Sequence, residues 1–176
     1  MDPLEILLVE DNPDHAELIQ QALSDEKVLN QIHWVKDGQA GLDFLFRRSV
    51  YTKVRLPGLI LLDINLPKIN GLEVLKEIKG DPNLRVIPVI ILTTSDRDEE
   101  VAASYLLGTN SFVTKPVKFA EFFEKVTSLK RYWLLTNNGP ILSNSPGESP
   151  PLFPSVTFKR DQKMFEDKPL TPREIQ

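Results

Sequence analysis

The 176-residue chain contains no cysteine. That excludes disulfides, thiolate metal sites and thiol nucleophiles. Histidine is scarce, with two residues, His15 and His33. No apolar run is long enough to span a bilayer and the opening residues do not read as a signal peptide, so a cytoplasmic protein with no membrane association is expected. Basic charge is also short: 21 Lys and Arg stand against 25 Asp and Glu, a net charge of -4. Phosphate-backbone binding needs a basic face, so nucleic acid is not the expected partner. Missing motifs narrow the field further. No G-x-G-x-x-G or G-x-x-x-x-G-K-[ST] follows an apolar run, and no G-x-S-x-G is present, which removes the dinucleotide, P-loop and hydrolase-elbow readings.

What is present is a run of alternating element patterns. Leu4–Val9, Leu59–Leu62, Val86–Leu92 and Ser111–Val113 read as buried strands. Gln31–Val35 is mixed, as suits an edge strand. Between them fall helical patterns. One carries Ala16, Leu18, Ile19, Ala22 and Leu23. A second carries Ala40, Leu42, Phe44, Leu45 and Phe46, and a third Leu72, Val74, Leu75 and Ile78. A fourth helix, capped by Asp96, is expected to run to about Leu107, where Gly108 stops it. A fifth starts near Lys118, with a stripe at Phe119, Phe122, Val126, Leu129 and Trp133 facing the sheet. Five strands alternating with five helices predict an α/β fold: a doubly wound parallel sheet in the order 2-1-3-4-5. Of the 14 prolines, seven fall between Pro140 and Pro172. The composition shift divides the chain into a domain over 1–136 and a Pro-rich tail over 137–176.

In such sheets ligands sit beyond the carboxyl ends of the strands. Those ends read Glu10-Asp11, Asp63, Thr93-Thr94 and Thr114-Lys115-Pro116. In the expected order these strands are neighbours, so three carboxylates, a hydroxyl and an amine converge on one rim. Clustered carboxylates repel unless a cation joins them, and hard oxygen ligands suit Mg²⁺. The first loop, "VEDNPD", would repel a nucleotide or flavin phosphate. His15, within the first helix, and His33, in the edge strand, are read as separate from this rim.

At these residues the sequence resembles the receiver domain of two-component response regulators. The likeness runs from Leu4 to Leu135 and rests on Glu10-Asp11, "LLDINLPKINGLEVL", "VIILTTSD" and "FVTKPV". The connection "RRSVYTKVRLP", together with "VEDNPDHAELIQ", is similar to small stand-alone receivers associated with bacterial and cyanobacterial phytochromes. The resemblance implies that Asp63 accepts a phosphoryl group from a sensor histidine kinase, with a phytochrome as the candidate kinase. It gives Asp11 and Asp63 to Mg²⁺ directly, Asn65 through its backbone carbonyl, and Glu10 through a water. Lys115 and Thr93 would contact phosphoryl oxygens. Thr93 and Phe112 become the switch pair, and the Lys115–Pro116 bond is expected to be cis. Pro67 stiffens the loop after the acceptor, and Gly71 permits a tight turn into the third helix.

With no output domain legible in the tail, signalling through protein binding is expected rather than catalysis. Two other readings stand beside it. An aspartyl-nucleophile phosphohydrolase would need D-x-D, where this chain has Asp63-Ile64-Asn65. A constitutive scaffold would not need the full chemical set. Finally, Phe123 and Tyr132 lie off the buried stripe of the fifth helix, and Tyr105 on the fourth joins them. Exposed aromatics grouped on one side mark an interface, and the resemblance favours a homodimer through helix 4, strand 5 and helix 5.

Overall fold

The computed structural model describes residues 4–24 and 30–136. The segment 137–176, expected to be a Pro-rich tail, lies outside the described residues. Five parallel strands, β1 Leu4–Val9, β2 Asn30–Val35, β3 Leu59–Leu62, β4 Val89–Thr93 and β5 Ser111–Thr114, form one sheet in the order β2-β1-β3-β4-β5. Five helices join them: α1 Pro13–Leu23, α2 Gly38–Leu45, α3 Gly71–Gly80, α4 Asp98–Leu106 and α5 Phe119–Lys130. This is the doubly wound order read from the sequence.

The period-2 alternation of strand side chains builds two cores at once. Leu7 and Val9, Ile60 and Leu62, and Val89 and Ile91 pack with Phe44, Val74, Leu75 and Ile78 on the α2–α3 face. Their neighbours Ile6 and Leu8, Leu59 and Leu61, and Ile90 and Leu92 pack with Leu18, Ile19, Phe122 and Val126 on the α1–α5 face. Every residue of β3 and β4 is buried, which explains their apolar sequence up to Thr93 at the end of β4.

Three expectations change in detail. β4 begins at Val89 rather than Val86 because Pro88 precedes it: proline has no N–H for the ladder, and Ile87 closes a turn onto the Leu84 carbonyl instead. α4 is not capped by Asp96. Its N-cap is Arg97 with no side-chain capping bond, and Asp98, Glu99 and Glu100 in the first turn meet the positive helix end. Gly108 does stop α4, in the left-handed region at φ 95°. In α5, Phe122 and Val126 are buried and Leu129 and Trp133 pack beside them, but Phe119 is 61% exposed. It occupies the first helical position, one turn before the residue that seals onto the sheet.

The long connection after α2 is ordered. Arg47 and Ser49 adopt positive φ, a 3₁₀ turn spans Ser49–Tyr51, and Tyr51, Val54 and Leu56 pack back onto the α2–α3 core. Among the described residues, no helix is long and apolar enough to cross a membrane.

Candidate functional site: an acidic rim closed by one lysine

The strand register assembles the site. Val9 and Leu62 are paired between β1 and β3, so Glu10 and Asp63, the next residue of each strand, emerge side by side. The Asp63 amide donates to the Val9 carbonyl at 3.0 Å. Thr93 pairs with Thr114 across β4 and β5, and the Lys115 amide donates to the Thr93 carbonyl at 2.7 Å. Asp11 follows Glu10 and is exposed, whereas Glu10, Asp63, Thr93 and Lys115 are all buried. Carboxylate oxygens of Glu10, Asp11 and Asp63 lie within 4.8 Å of one another. The convergence expected from the strand ends is therefore present.

Lys115 Nζ sits 2.5 Å from Glu10 Oε2 and 2.6 Å from Asp63 Oδ2. Three carboxylates against one ammonium leave two negative charges at the rim, the charge a divalent cation would balance. Burial pushes the Glu10 carboxyl above its ordinary value, against the pull of Lys115 and with further repulsion from Asp63. The donor set is thus all oxygen, crowded and under-neutralised, which fits a hard divalent ion.

The surrounding loops hold these groups in place. The Asn65 amide donates to Asp63 Oδ1 at 3.2 Å, and the Asn65 side chain reaches Thr93 Oγ1 at 3.4 Å. Thr93 Oγ1 also accepts from the Ser95 amide at 3.3 Å. Gly71 is needed for close approach rather than for an unusual turn. A Cβ there would lie 2.0 Å from the Asp63 carbonyl oxygen, and the Gly71 amide donates to Ile64 at 2.8 Å. Phe112, the expected switch aromatic, is half-buried and lines a groove of about 760 Å³ with Val113, Lys125 and Leu129.

Two expectations are corrected. The Lys115–Pro116 bond is not cis: the described chain contains no cis peptide. Trans is the lower-energy isomer of an X–Pro bond, and the lysine stem reaches both carboxylates from it. His15 is not separate from the rim either. Its Nδ1 lies 3.5 Å from Glu10 Oε1 and 3.4 Å from Lys115 Nζ. The signal was available, since position 15 is in the first turn of a helix that leaves the rim at Asn12, its N-cap. His33 is distant, as expected, and pairs with the buried Glu5 at 2.6 Å. Trp34 was missed: its indole N–H donates to the Glu10 carbonyl at 2.8 Å from the neighbouring strand.

A buried lysine locked to the residue that ends β3, beside an acidic pair ending β1, defines a class of phosphoryl-accepting signalling domains. The response regulator receiver domain family matches residues 6–127, and the chain belongs to that family. Its function is a receiver's, phosphoryl acceptance coupled to signalling. It is 43% identical over 139 residues to the probable methanogenesis regulatory protein FilR2 of Methanothrix harundinacea, covering 79% of this chain and 89% of that protein. It is 41% identical to response regulator Rcp1 of Synechocystis sp., covering 76% of this chain and 91% of Rcp1. Among solved structures it is similar to a phosphorylated cyanobacterial phytochrome response regulator, RcpA, at TM-score 0.78 and 39% identity, covering 80% of this chain and all of that one. It is likewise similar to the Mn²⁺-bound form of Rcp1, at TM-score 0.77 and 40% identity, covering 79% and 100%.

Proposed function

We propose that Asp63 is the phosphoacceptor and that the protein relays a phosphoryl group from a sensor histidine kinase of the phytochrome type to a binding partner. The observation that carries this reading is the Lys115 ammonium held between Glu10 and Asp63 at 2.5 and 2.6 Å. An Asp63 oxygen attacks phosphorus, and the bond from phosphorus to the kinase imidazole nitrogen breaks. The electron pair leaves on that nitrogen and an acyl phosphate remains on Asp63. Lys115 neutralises one phosphoryl oxygen, and Thr93 donates its hydroxyl to another. Asp11, Asp63 and the Asn65 backbone carbonyl would hold Mg²⁺, with Glu10 acting through a bound water. When bound, the ion supplies neutralisation of charge on the transferring group.

Thr93 and Phe112 carry the change outward to α4, β5 and α5. There Tyr105, Phe123 and Tyr132 are 53%, 40% and 56% exposed, and they form the face through which two copies associate. The output is binding, not turnover, and the receiver unit is 1–136, working in the cytoplasm.

The test is labelling with acetyl phosphate and Mg²⁺. One phosphoryl group should appear per chain, on Asp63, and Asp63→Asn should take up none while keeping the wild-type circular dichroism. Labelling of Asp63→Asn at the wild-type level would overturn the assignment. Continuous hydrolysis of a phosphate ester would favour the phosphohydrolase. The kinase assignment is tested by phosphotransfer from candidate phytochrome kinases, where preference for an unrelated kinase would sink it.

A further inference from the structure

The Lys115 ammonium has three hydrogens to donate. Two go to Glu10 Oε2 and Asp63 Oδ2. The third polar atom within reach is His15 Nδ1, at 3.4 Å. The same ring nitrogen faces Glu10 Oε1 at 3.5 Å, an oxygen that also accepts from the Asn12 amide at 3.2 Å. Lysine can only donate, so a hydrogen bond between the two uses the Nδ1 lone pair, with the ring proton on Nε2. On its other side the His15 ring meets Phe122 edge-on, centroids 5.8 Å apart at 80°. Phe122 is buried under α5, so the imidazole is backed by a fixed wall.

We propose that His15 is a positioning residue for Lys115: it holds the ammonium at the rim while the lysine's carboxylate partners are given up. This rests on the reading of Asp63 as phosphoacceptor. The two carboxylates that bind Lys115 are the groups a divalent ion and a phosphoryl group engage. Once an Asp63 oxygen is bonded to phosphorus and Glu10 faces the ion's water, two of the three lysine partners have changed. His15 is the partner outside that exchange. It keeps the ammonium aimed at the place where phosphoryl charge develops, which is worth rate only if the geometry is set beforehand. The contact to Phe122 also ties the lysine's position to α5, the helix that carries Phe123.

The experiment is the labelling rate of the full chain with acetyl phosphate, measured against donor concentration at saturating Mg²⁺. His15→Phe keeps a ring against Phe122 and removes the acceptor. His15→Asn places an amide oxygen near the Nδ1 position and removes the ring. The rate at saturating donor should fall roughly three- to tenfold in His15→Phe, as suits one long hydrogen bond to a charged group. The half-saturating donor concentration should stay within about twofold, since the acceptor acts on the lysine and not on donor binding. His15→Asn should recover most of the loss.

Wild-type rates in His15→Phe, or equal slowing in His15→Phe and His15→Asn, would overturn the role. If His15→Phe does not fold, His15→Ala replaces it in the comparison with His15→Asn, and equal rates there overturn it too. Wild-type protein that takes no label on Asp63 would overturn the phosphoacceptor reading itself. Normal wild-type labelling with an unaffected His15→Phe overturns only the role of His15.

Discussion

Lys115 Nζ and Asp63 Oδ2 lie 2.6 Å apart, in a position where the lysine side chain is 1% and the aspartate side chain 6% exposed. The lysine therefore solves an electrostatic problem before any ligand arrives. It offsets the desolvation of Asp63 and, at 2.5 Å, of Glu10.

Removing the cation should cost most when no metal is present. Lys115→Ala leaves two buried carboxylates facing one another, a loss of about 2–4 kcal/mol in chelator, moderated by protonation of Glu10. Added Mg²⁺ should raise the melting temperature of the variant more than that of the wild type. Thermal melts with and without Mg²⁺ check this. Equal metal-induced shifts in the two proteins would contradict it.

Trp34 provides a reporter of the metal, because its indole N–H is bonded to the Glu10 carbonyl. In a Trp133→Phe background, Trp34 emission should titrate with Mg²⁺. Asp11→Ala should weaken that affinity about tenfold or more, one carboxylate ligand having gone from a small oxygen set. An unchanged titration would remove Asp11 from the metal shell.

Asp37 gives a pH dependence away from the site. It is the N-cap of α2, accepts from the Ala40 amide at 2.8 Å and pairs with Lys68 at 2.7 Å. Burial alone would raise its carboxyl, but the Lys68 hydrogen bond and the Ala40 and Gln39 amides outweigh it, and the carboxyl is lowered from 3.8. A lowered value means that the fold prefers the ionised form, so the stabilisation is complete above 3.8 and is lost as pH falls through the lowered value. Asp37→Ala should cost about 1 kcal/mol at neutral pH, mostly as a lost cap, since the exposed Lys68 is screened. Urea titrations should show the gap between wild type and variant closing below pH 3.8. A gap that is constant down to pH 2, or that widens, would refute the linkage.

The dimer face is tested by charge. Tyr105→Asp with Phe123→Asp should give a monomer by light scattering at micromolar concentration, still labelled on Asp63. An interface of this kind needs on the order of 1,000 Å² of buried surface, which two buried carboxylates would disrupt. A wild type that is monomeric in both phosphorylation states, or a double variant that remains dimeric, would rule the face out.

Much of the molecule was legible in the chain itself. The apolar runs of β1 and β3 marked both strands, because a strand buried on two faces takes a polar residue only where a partner meets it, as His33 meets Glu5 in β1. The sheet order followed from the alternation of elements, and the strand-end rule then named Glu10, Asp11, Asp63, Thr93 and Lys115. What escaped depended on distances that periodicity does not encode. His15 and Trp34 approach Glu10 only because α1 leaves the rim at a particular angle and β2 lies beside β1. Gly71 matters through the carbonyl of Asp63, eight positions earlier, and nothing local marks that approach. The exposure of Phe119 was likewise decided by tertiary geometry. Sequence patterns record which face of an element is buried; which side chains then meet across elements is set by packing, where a shift of an ångström makes or removes a contact.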